Sequence, residues 1–179
     1  HRFPGNRLVF ALFVGGNFLP AQIMMIPVRD LMVGIGLYDT FFALIIFHTA
    51  VQTGFATLFM RNFIAALPDE LFQAARAEGA SPWQTLWHVV VPLIRPALAA
   101  LAILTFTFVW NDYFWAIVLT QSDAVKPVTA CLNNLRGEWV SAWNLVAAAT
   151  VMVAIPPVAM FFLMQRHFIA GLTMGAVKG

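Results

Sequence analysis

Four long apolar stretches dominate the pattern of hydrophobic and polar positions along the chain. They run over 8–28, 41–64, 97–119 and 145–164. A helix needs about 20 apolar residues to cross a hydrocarbon core roughly 30 Å thick, whereas barrel strands show alternating runs of about ten residues. The pattern therefore predicts an all-α, polytopic membrane helix bundle with four transmembrane helices.

The polar connections between these stretches differ in length and character. A short turn is predicted over 29–40, and a longer, asparagine-containing polar loop over 122–142. The segment 67–96, between the second and third stretches, is neither a plain loop nor a span. It holds the most specific local signals of the chain.

The segment 67–96 carries the start and stop signals of two short helices. Pro68 suits the first turn of a helix, and the acidic residues after it suit the positive end of the helix dipole. Gly79 is a helix-ending residue, and Ser81-Pro82 with Gln84 forms a capping box that begins a second helix. The spacing predicts a helical hairpin at the membrane surface, turning at 79–80. On spacing alone, a hairpin that only connects two spans is an equal alternative.

Composition supports lipid as the solvent of this chain. Hydrophobic residues make up 61% and charged residues 10%, with a mean hydropathy of +0.81, whereas soluble domains carry about 25% charged residues. These values exclude a cytosolic enzyme, a disordered tail and a nucleic-acid-binding module. The single Cys131 excludes an internal disulfide and a multi-cysteine metal site, and no cofactor is expected.

The distribution of basic residues predicts an orientation. Seven of the ten fall on the side that holds both chain ends and the segment 67–96, and three fall on the other side. Cytoplasmic segments carry the excess of Lys and Arg in membrane proteins. Both ends and the segment 67–96 are therefore expected in the cytoplasm.

The segment 67–96 resembles the "EAA" loop of ABC-importer permease subunits. Gln73-Ala74-Ala75, then Gly79, then Val89-Val90-Val91-Pro92 match the loop's spacing. Gln73 stands where the family usually has Glu, so the hydrogen-bonding tip is kept and the charge is lost. The wider context and the ending 171–179 are similar to the carbohydrate-uptake, maltose-permease-like branch. The resemblance covers essentially the whole chain and begins partway into the family's pattern, so an N-terminal part with two further spans is expected before His1.

The resemblance implies a single transmembrane domain over 1–179 that is a transport subunit and not an enzyme. Such a subunit forms part of the translocation pathway for a sugar or sugar derivative in the cytoplasmic (inner) membrane. Its implied partners are an ATP-binding subunit dimer, which hydrolyses ATP, a second permease subunit and an extracytoplasmic solute-binding protein. The solute and the identity of the second permease stay open. The residues implied to dock on the ATP-binding subunit are Leu71, Phe72, Gln73, Ala74, Ala75, Gly79 and Ala80.

Polar residues inside the predicted spans supply candidates for the solute pathway. Thr49, Thr53, Thr57 and Arg61 share one helix face at four-residue steps. Threonine hydroxyls that bond their own backbone or join neighbouring helices are favoured over a role in lining the pathway. Asn111 and Asp112 form a polar pair near one end of the third span, beside aromatic residues typical of either an interfacial belt or a sugar-binding surface. The candidate pathway residues are Thr53, Asn111, Asp112 and Trp115.

Two other functions are weighed against transport. A small membrane enzyme would use His48, His88 or Asp112, but it lacks a nucleophile–base or metal constellation. A membrane scaffold would use the surface hairpin to bind a partner other than an ATPase. Prolines at Pro20 and at Pro156-Pro157 are expected to kink the first and fourth spans near their middles.

Overall fold

The structure is a computed structural model that describes residues 3–135 and 142–176, without the side chains of Asn134 and of 166–176. It is built of helices and contains no strand in the part described. The helices are α1 (Asn6–Gly15), α2 (Ala21–Gly34), α3 (Phe41–Ala65), α4 (Asp69–Ala77), α5 (Pro82–Leu93), α6 (Arg95–Trp110), α7 (Phe114–Leu119), α8 (Val128–Cys131) and α9 (Trp143–Ala176). The predicted all-α helix bundle is confirmed.

Two helices are long and apolar enough to cross a membrane alone. They are α3 over all its 25 residues and α9 over Trp143–Gln165. Two further pairs, α1 with α2 and α5 with α6, pass the same test together but are bent by 106° and 72°. By length and composition, the described part of the chain therefore has two candidate spans made of one helix each, and up to four if each bent pair counts as one span.

The first predicted stretch, 8–28, is not one kinked helix. A 3-10 turn at Gly16–Phe18 follows α1, and Leu19 and Pro20 are extended before α2 begins. Proline donates no N–H and disfavours helix at the residue before it, so the helix breaks at Leu19 and Pro20. Helix α2 then continues to Gly34, which shortens the turn predicted over 29–40.

The third predicted stretch, 97–119, is also divided. Helix α6 starts at Arg95 and ends at Trp110, and helix resumes only at Phe114 in α7. The sharp bend of 72° separates α5 from α6. The fourth stretch behaves differently, because α9 runs unbroken through Pro156 and Pro157.

The helices pack around α3, which contacts α1, α6 and α7, while α9 lies along α6. One apolar cluster joins α2, α3 and α7 at one end of the bundle, and a second joins α5 and α6 at the other, with α3 and α4 packed against it. The buried members of the first are Met32, Ala43, Leu44, Phe47, Trp115, Val118 and Leu119, and those of the second are Val90, Ile94 and Ala97.

Gly54 marks the closest crossing of two helices. It is buried in α3, and a Cβ at this position would overlap the backbone carbonyl oxygen of Phe13 and the side-chain amide nitrogen of Asn17. Only a residue without a side chain allows the end of α1 to approach this near, as is common where membrane helices cross. This contact holds the first half of the broken α1–α2 pair against α3.

Candidate functional site

The surface hairpin, formed by α4 and α5, turns through a complete helix-ending motif. Gly79 adopts a φ of 77°, its N–H donates to the Arg76 carbonyl at 3.0 Å, and the N–H of Ala80 donates to the Ala75 carbonyl at 2.9 Å. This pair of bonds is the Schellman arrangement, which favours glycine in the left-handed position. The predicted stop at Gly79 and tight turn at 79–80 are confirmed.

Helix α5 begins with the predicted capping box. The Ser81 hydroxyl accepts from the Gln84 N–H at 3.2 Å, and the Gln84 side-chain oxygen accepts from the Ser81 N–H at 2.8 Å. Pro82 occupies the first turn, where its missing N–H costs nothing. The two caps follow one another directly, so α4 and α5 are joined by a tight turn without a longer linker.

The hairpin turns only some of the predicted docking residues outward. Leu71, Gln73, Ala74 and Gly79 are exposed, and Ala80 is half-buried. Ala75, in contrast, is 6% exposed. Phe72 packs against the second apolar cluster, which anchors α4 on the spans. The structure therefore divides the predicted set into an exposed surface and a pair of inward residues that hold the hairpin together.

A groove of about 570 Å³ separates α4 from α5. Its α4 side consists largely of predicted docking residues, among them Leu71 and Ala74, and its α5 side includes Gln84 and His88. The His88 ring bonds the carbonyl of Gln84 at 3.0 Å, so it completes the wall of the groove. The groove therefore lies along the part of α4 that carries the predicted docking residues.

Two tryptophans lie on the outside of the hairpin. Trp83 and Trp87 are 67% and 52% exposed, and their ring centroids lie 5.8 Å apart in an edge-to-face arrangement. Exposed tryptophans on a short helix are typical of anchors in the headgroup region. They fit a hairpin that lies along a membrane surface.

The break between α6 and α7 brings together two residues from distant parts of the sequence. The Asp112 carboxylate accepts from the N–H groups of Trp115 and Ala116 at 3.3 and 3.2 Å, so it caps the start of α7. Its Oδ2 also lies 3.3 Å from Nε2 of His48 on α3. The polar pair flagged in the sequence is thus split, because Asn111 bonds the Thr107 carbonyl of its own helix instead.

The other candidate pathway residues are engaged locally. Trp115 is buried, with its ring 3.9 Å from that of Phe47, so it belongs to the packed core between α3 and α7. The Thr53 hydroxyl donates to the Thr49 carbonyl at 2.6 Å, and the Thr57 hydroxyl to the Thr53 carbonyl at 2.7 Å. Bonding to the helix's own backbone, part of the favoured alternative for the threonine stripe, is confirmed for Thr53 and Thr57.

A hydrogen bond that the sequence analysis missed supports α9 at the second of its two prolines. Pro157 has no N–H, so the carbonyl of Val153, four residues earlier, lacks its helical donor. The indole N–H of Trp110 supplies that donor at 3.2 Å. The available signal was the proline itself, because it predicts an unpaired carbonyl at a known position, but only packing of α9 along α6 identifies the donor.

A second missed feature ties two loops together at the far end of the bundle from the hairpin. Asp39 accepts from the N–H groups of Gln121 and Ser122 at 2.7 and 2.9 Å and from the Ser122 hydroxyl at 3.1 Å. Its own N–H donates to the Leu119 carbonyl at 3.0 Å, and its φ is 59°. The backbone bond from Gln121, followed by that from Ser122, holds the pKa of the Asp39 carboxyl below its ordinary value.

Within the described residues, no three His, Cys, Asp or Glu side chains converge on a position for a metal ion. The His48–Asp112 pair is occupied in capping α7 and in joining α3 to it. The side chains of the predicted tail over 171–179 and residues 136–141 of the polar loop lie outside the described part.

Comparison with known proteins gives consistent matches along the chain. Residues 1–174 match the family model described as "Binding-protein-dependent transport system inner membrane component". The melibiose/raffinose/stachyose import permease of Bacillus subtilis is 35% identical over 97% of this chain and 63% of its own length. The osmoprotective compounds uptake permease of Synechocystis sp. is 38% identical over 98% of this chain and 59% of its own.

A third relative, the sn-glycerol-3-phosphate transport system permease of Yersinia enterocolitica, is 35% identical over 96% of this chain and 61% of its own length. The chain spans about six-tenths of the length of these curated relatives. Their names cover sugars, osmoprotectants and a phosphate ester at nearly equal identity, so similarity alone does not select a solute. With the family model covering almost every residue, the chain belongs to the family of binding-protein-dependent transport system inner membrane components.

Proposed function

We propose that this chain is part of the permease subunit of an ABC importer and couples solute movement to an ATP-binding subunit through the surface hairpin. The observation that carries the proposal is the hairpin itself. The residues that resemble the EAA loop coincide with a short helix capped at its end by Gly79 and joined directly to a second capped helix. Such a unit transmits a push from a docked partner to the spans without bending.

The packing of Phe72 supports a path from the hairpin to the spans. Phe72 contacts the cluster formed by Val90, Ile94 and Ala97, which continues from α5 into α6. Displacement of α4 therefore displaces the start of α6, and α6 carries α9 with it. Rigid-body rocking of packed helices is a general route to alternating access in transporters.

The proposed partners follow from this role. An ATP-binding subunit dimer docks on the hairpin in the cytoplasm, a second permease subunit completes the pathway, and a solute-binding protein contacts the opposite face. Both chain ends are proposed to be cytoplasmic, in line with the excess of basic residues on that side. The proposed solute is a sugar or sugar derivative, as for the Bacillus subtilis relative.

The test of the proposal is a charge placed on the exposed part of the hairpin. Ala74→Glu adds a bulky carboxylate to an exposed position on the groove, whereas Ala75→Glu would bury a charge and test only folding. The matched control is Ala66→Glu, at an exposed position just after α3 and outside the hairpin. Each variant is made in the permease assembled with its ATP-binding subunits.

We expect Ala74→Glu to abolish co-purification of the ATP-binding subunit and ATP-dependent uptake, while Ala66→Glu retains both. Normal uptake by Ala74→Glu refutes docking at this surface. Recovery of a different protein with the hairpin, and of no ATP-binding subunit, favours the scaffold alternative instead.

Gln73 provides a second arm of the same test. Its side chain is exposed, so Gln73→Glu restores the charge usual in the family without disturbing any packing. We expect unchanged expression and equal or stronger association with the ATP-binding subunit. Loss of association in this variant contradicts the placement of Gln73 on the docking surface.

A further inference from the structure

A cavity of about 570 Å³ lies between the end of α6, the polar loop and α9. Trp110, Asn111 and Tyr113 form one wall, and Thr129 and Asn133 come from α8 and the turn that follows it. The third wall is α9 from Val146 to Val158, including Thr150 and Pro157. Of the candidate pathway residues predicted from sequence, only Asn111 lines it.

The residues that line the cavity suit an uncharged ligand with several hydroxyl groups. Every described residue that lines the cavity is uncharged. Aromatic rings at Trp110 and Tyr113 offer flat apolar faces, and the side chains of Asn133 and Thr129 offer hydrogen-bond partners. A few placed polar groups among apolar and aromatic walls are typical of small-molecule sites. A phosphate ester is bound most strongly through cationic side chains, and none of the described lining residues is cationic.

The Thr129 hydroxyl is the polar group near this cavity that needs a hydrogen-bond partner. Its oxygen is buried and has no hydrogen-bond partner in the part of the chain that the structure describes. A buried polar group without a partner costs free energy, so such groups call for an explanation. The hydroxyls of Thr107 and Thr150, by contrast, donate to carbonyls of their own helices at 2.8 and 2.7 Å.

The position of the cavity links it to movement of the spans. Trp110 lines the cavity and also donates to the Val153 carbonyl beside Pro157. A ligand held against the indole therefore contacts the junction at which α6 supports the proline-containing part of α9. Binding there and displacement of α6 by the hairpin act on the same pair of helices.

We propose that this cavity is a binding site for an uncharged, polyhydroxylated solute, with the Thr129 hydroxyl hydrogen-bonded to that solute. The inference rests on the proposed transport function and deepens it, because it selects neutral sugars and polyols over phosphate esters. The walls hold the solute by aromatic stacking on Trp110 and Tyr113 and by hydrogen bonds from Thr129 and Asn133.

The test uses the assembled transporter, in nanodiscs for equilibrium binding and in proteoliposomes for ATP-dependent uptake, together with the isosteric variant Thr129→Val. The probes are ¹⁴C-labelled glucose, sucrose, melibiose, glycerol and sn-glycerol-3-phosphate, in equilibrium binding and in ATP-dependent uptake. We expect at least one neutral probe to bind and be taken up, and Thr129→Val to raise its half-saturating concentration for binding about five- to tenfold. Thr129→Ser keeps the hydroxyl and is expected to bind like the unmodified protein.

The control is Thr57→Val, on α3, whose hydroxyl already bonds the Thr53 carbonyl. We expect it to leave probe binding unchanged. Thermal unfolding completes the comparison, because removing a hydroxyl that has no protein partner does not destabilise the fold. A lower midpoint for Thr129→Val than for Thr57→Val therefore overturns the inference by giving the hydroxyl a structural role.

Two other outcomes also overturn the inference. One is equal binding by Thr129→Val and Thr57→Val, and the other is binding or uptake of the phosphate ester with none of the neutral probes. In both, co-purified ATP-binding subunits and ATP-dependent uptake by the unmodified protein leave the proposed function intact. Absence of the ATP-binding subunit and of all uptake refutes the proposed function itself, and this inference with it.

Discussion

The crossing of α1 and α3 at Gly54 allows a prediction in which two opposing effects are weighed. Gly54→Ala adds one methyl group to a helix interior, where alanine is favoured over glycine by about 0.5–1 kcal/mol. The same methyl group overlaps the carbonyl oxygen of Phe13 and the side-chain amide of Asn17. Overpacking of this kind costs about 1–3 kcal/mol. The clash is therefore expected to prevail.

The two groups that the methyl meets differ in how far they can yield. The Asn17 amide donates to the Phe13 and Val14 carbonyls at 3.1 and 3.4 Å, so moving it breaks weak hydrogen bonds worth about 1 kcal/mol. The Phe13 carbonyl is part of helix α1 and moves only with the helix. We expect a net destabilisation of about 1–2 kcal/mol, with α1 displaced from α3.

The assay is thermal unfolding of the purified transporter in detergent, followed by size-exclusion chromatography. For a domain of this size we expect the midpoint to fall by about 2–8 °C. The control is Gly15→Ala at the end of α1, where no heavy atom lies within 4 Å of the added Cβ. That variant is expected to unfold at an unchanged or slightly higher temperature.

Equal midpoints for Gly54→Ala and Gly15→Ala would refute the packing argument. The double variant Gly54→Ala with Asn17→Ala separates the two contacts. We expect only partial recovery, because the Phe13 carbonyl remains in place. Full recovery shows that the side-chain amide, and not the backbone, limits the approach of the helices.

Three further predictions concern hydrogen bonds. Trp110→Phe leaves the Val153 carbonyl without its indole donor and is expected to lower the free energy of unfolding by about 1–3 kcal/mol, measured by thermal unfolding. The pKa of Asp39 is lowered in the folded protein, so its contribution to stability is complete above pH 3.8 and is lost as the pH falls from there through the folded pKa. Asp39→Asn is expected to weaken this loss of stability at acid pH. An unchanged dependence of stability on acid pH contradicts the role given to Asp39. Ser81→Ala removes the α5 cap at a cost of about 0.5–2 kcal/mol, measured as a lower unfolding midpoint, whereas Ser81→Asp is expected to keep it.

The local signals of the surface hairpin were sufficient to predict its helices and its turn. Glycine at the left-handed position and the Ser81–Gln84 box act over three to five residues, so their effect does not depend on the rest of the fold. The same holds for two threonines of the stripe on α3, because the hydroxyls of Thr53 and Thr57 each reach a carbonyl one turn away. Short-range geometry of this kind can be inferred from spacing alone.

The breaks of the helices could be predicted only in part. Pro20 and Pro156-Pro157 were equal candidates for kinks. The chain bends by 106° at the first, whereas α9 continues as a helix through the second. At Pro157 the indole of Trp110 supplies a donor to the Val153 carbonyl from another helix, which supports the continuous helix there. A proline's effect therefore depends on which neighbour packs against it.

The apolar stretches by themselves determined the helical membrane class, because the thickness of the hydrocarbon core sets the length of one span. The spacing of the EAA-like segment pointed to the family, because helix caps act within one segment. Only the tertiary structure decided which of the hairpin residues face outward, that Asp112 meets His48, and that Asp39 ties the two loops together. It also placed Thr129 beside Trp110 in one cavity. These pairings join residues 19 to 82 positions apart, and the packing of whole helices brings them together.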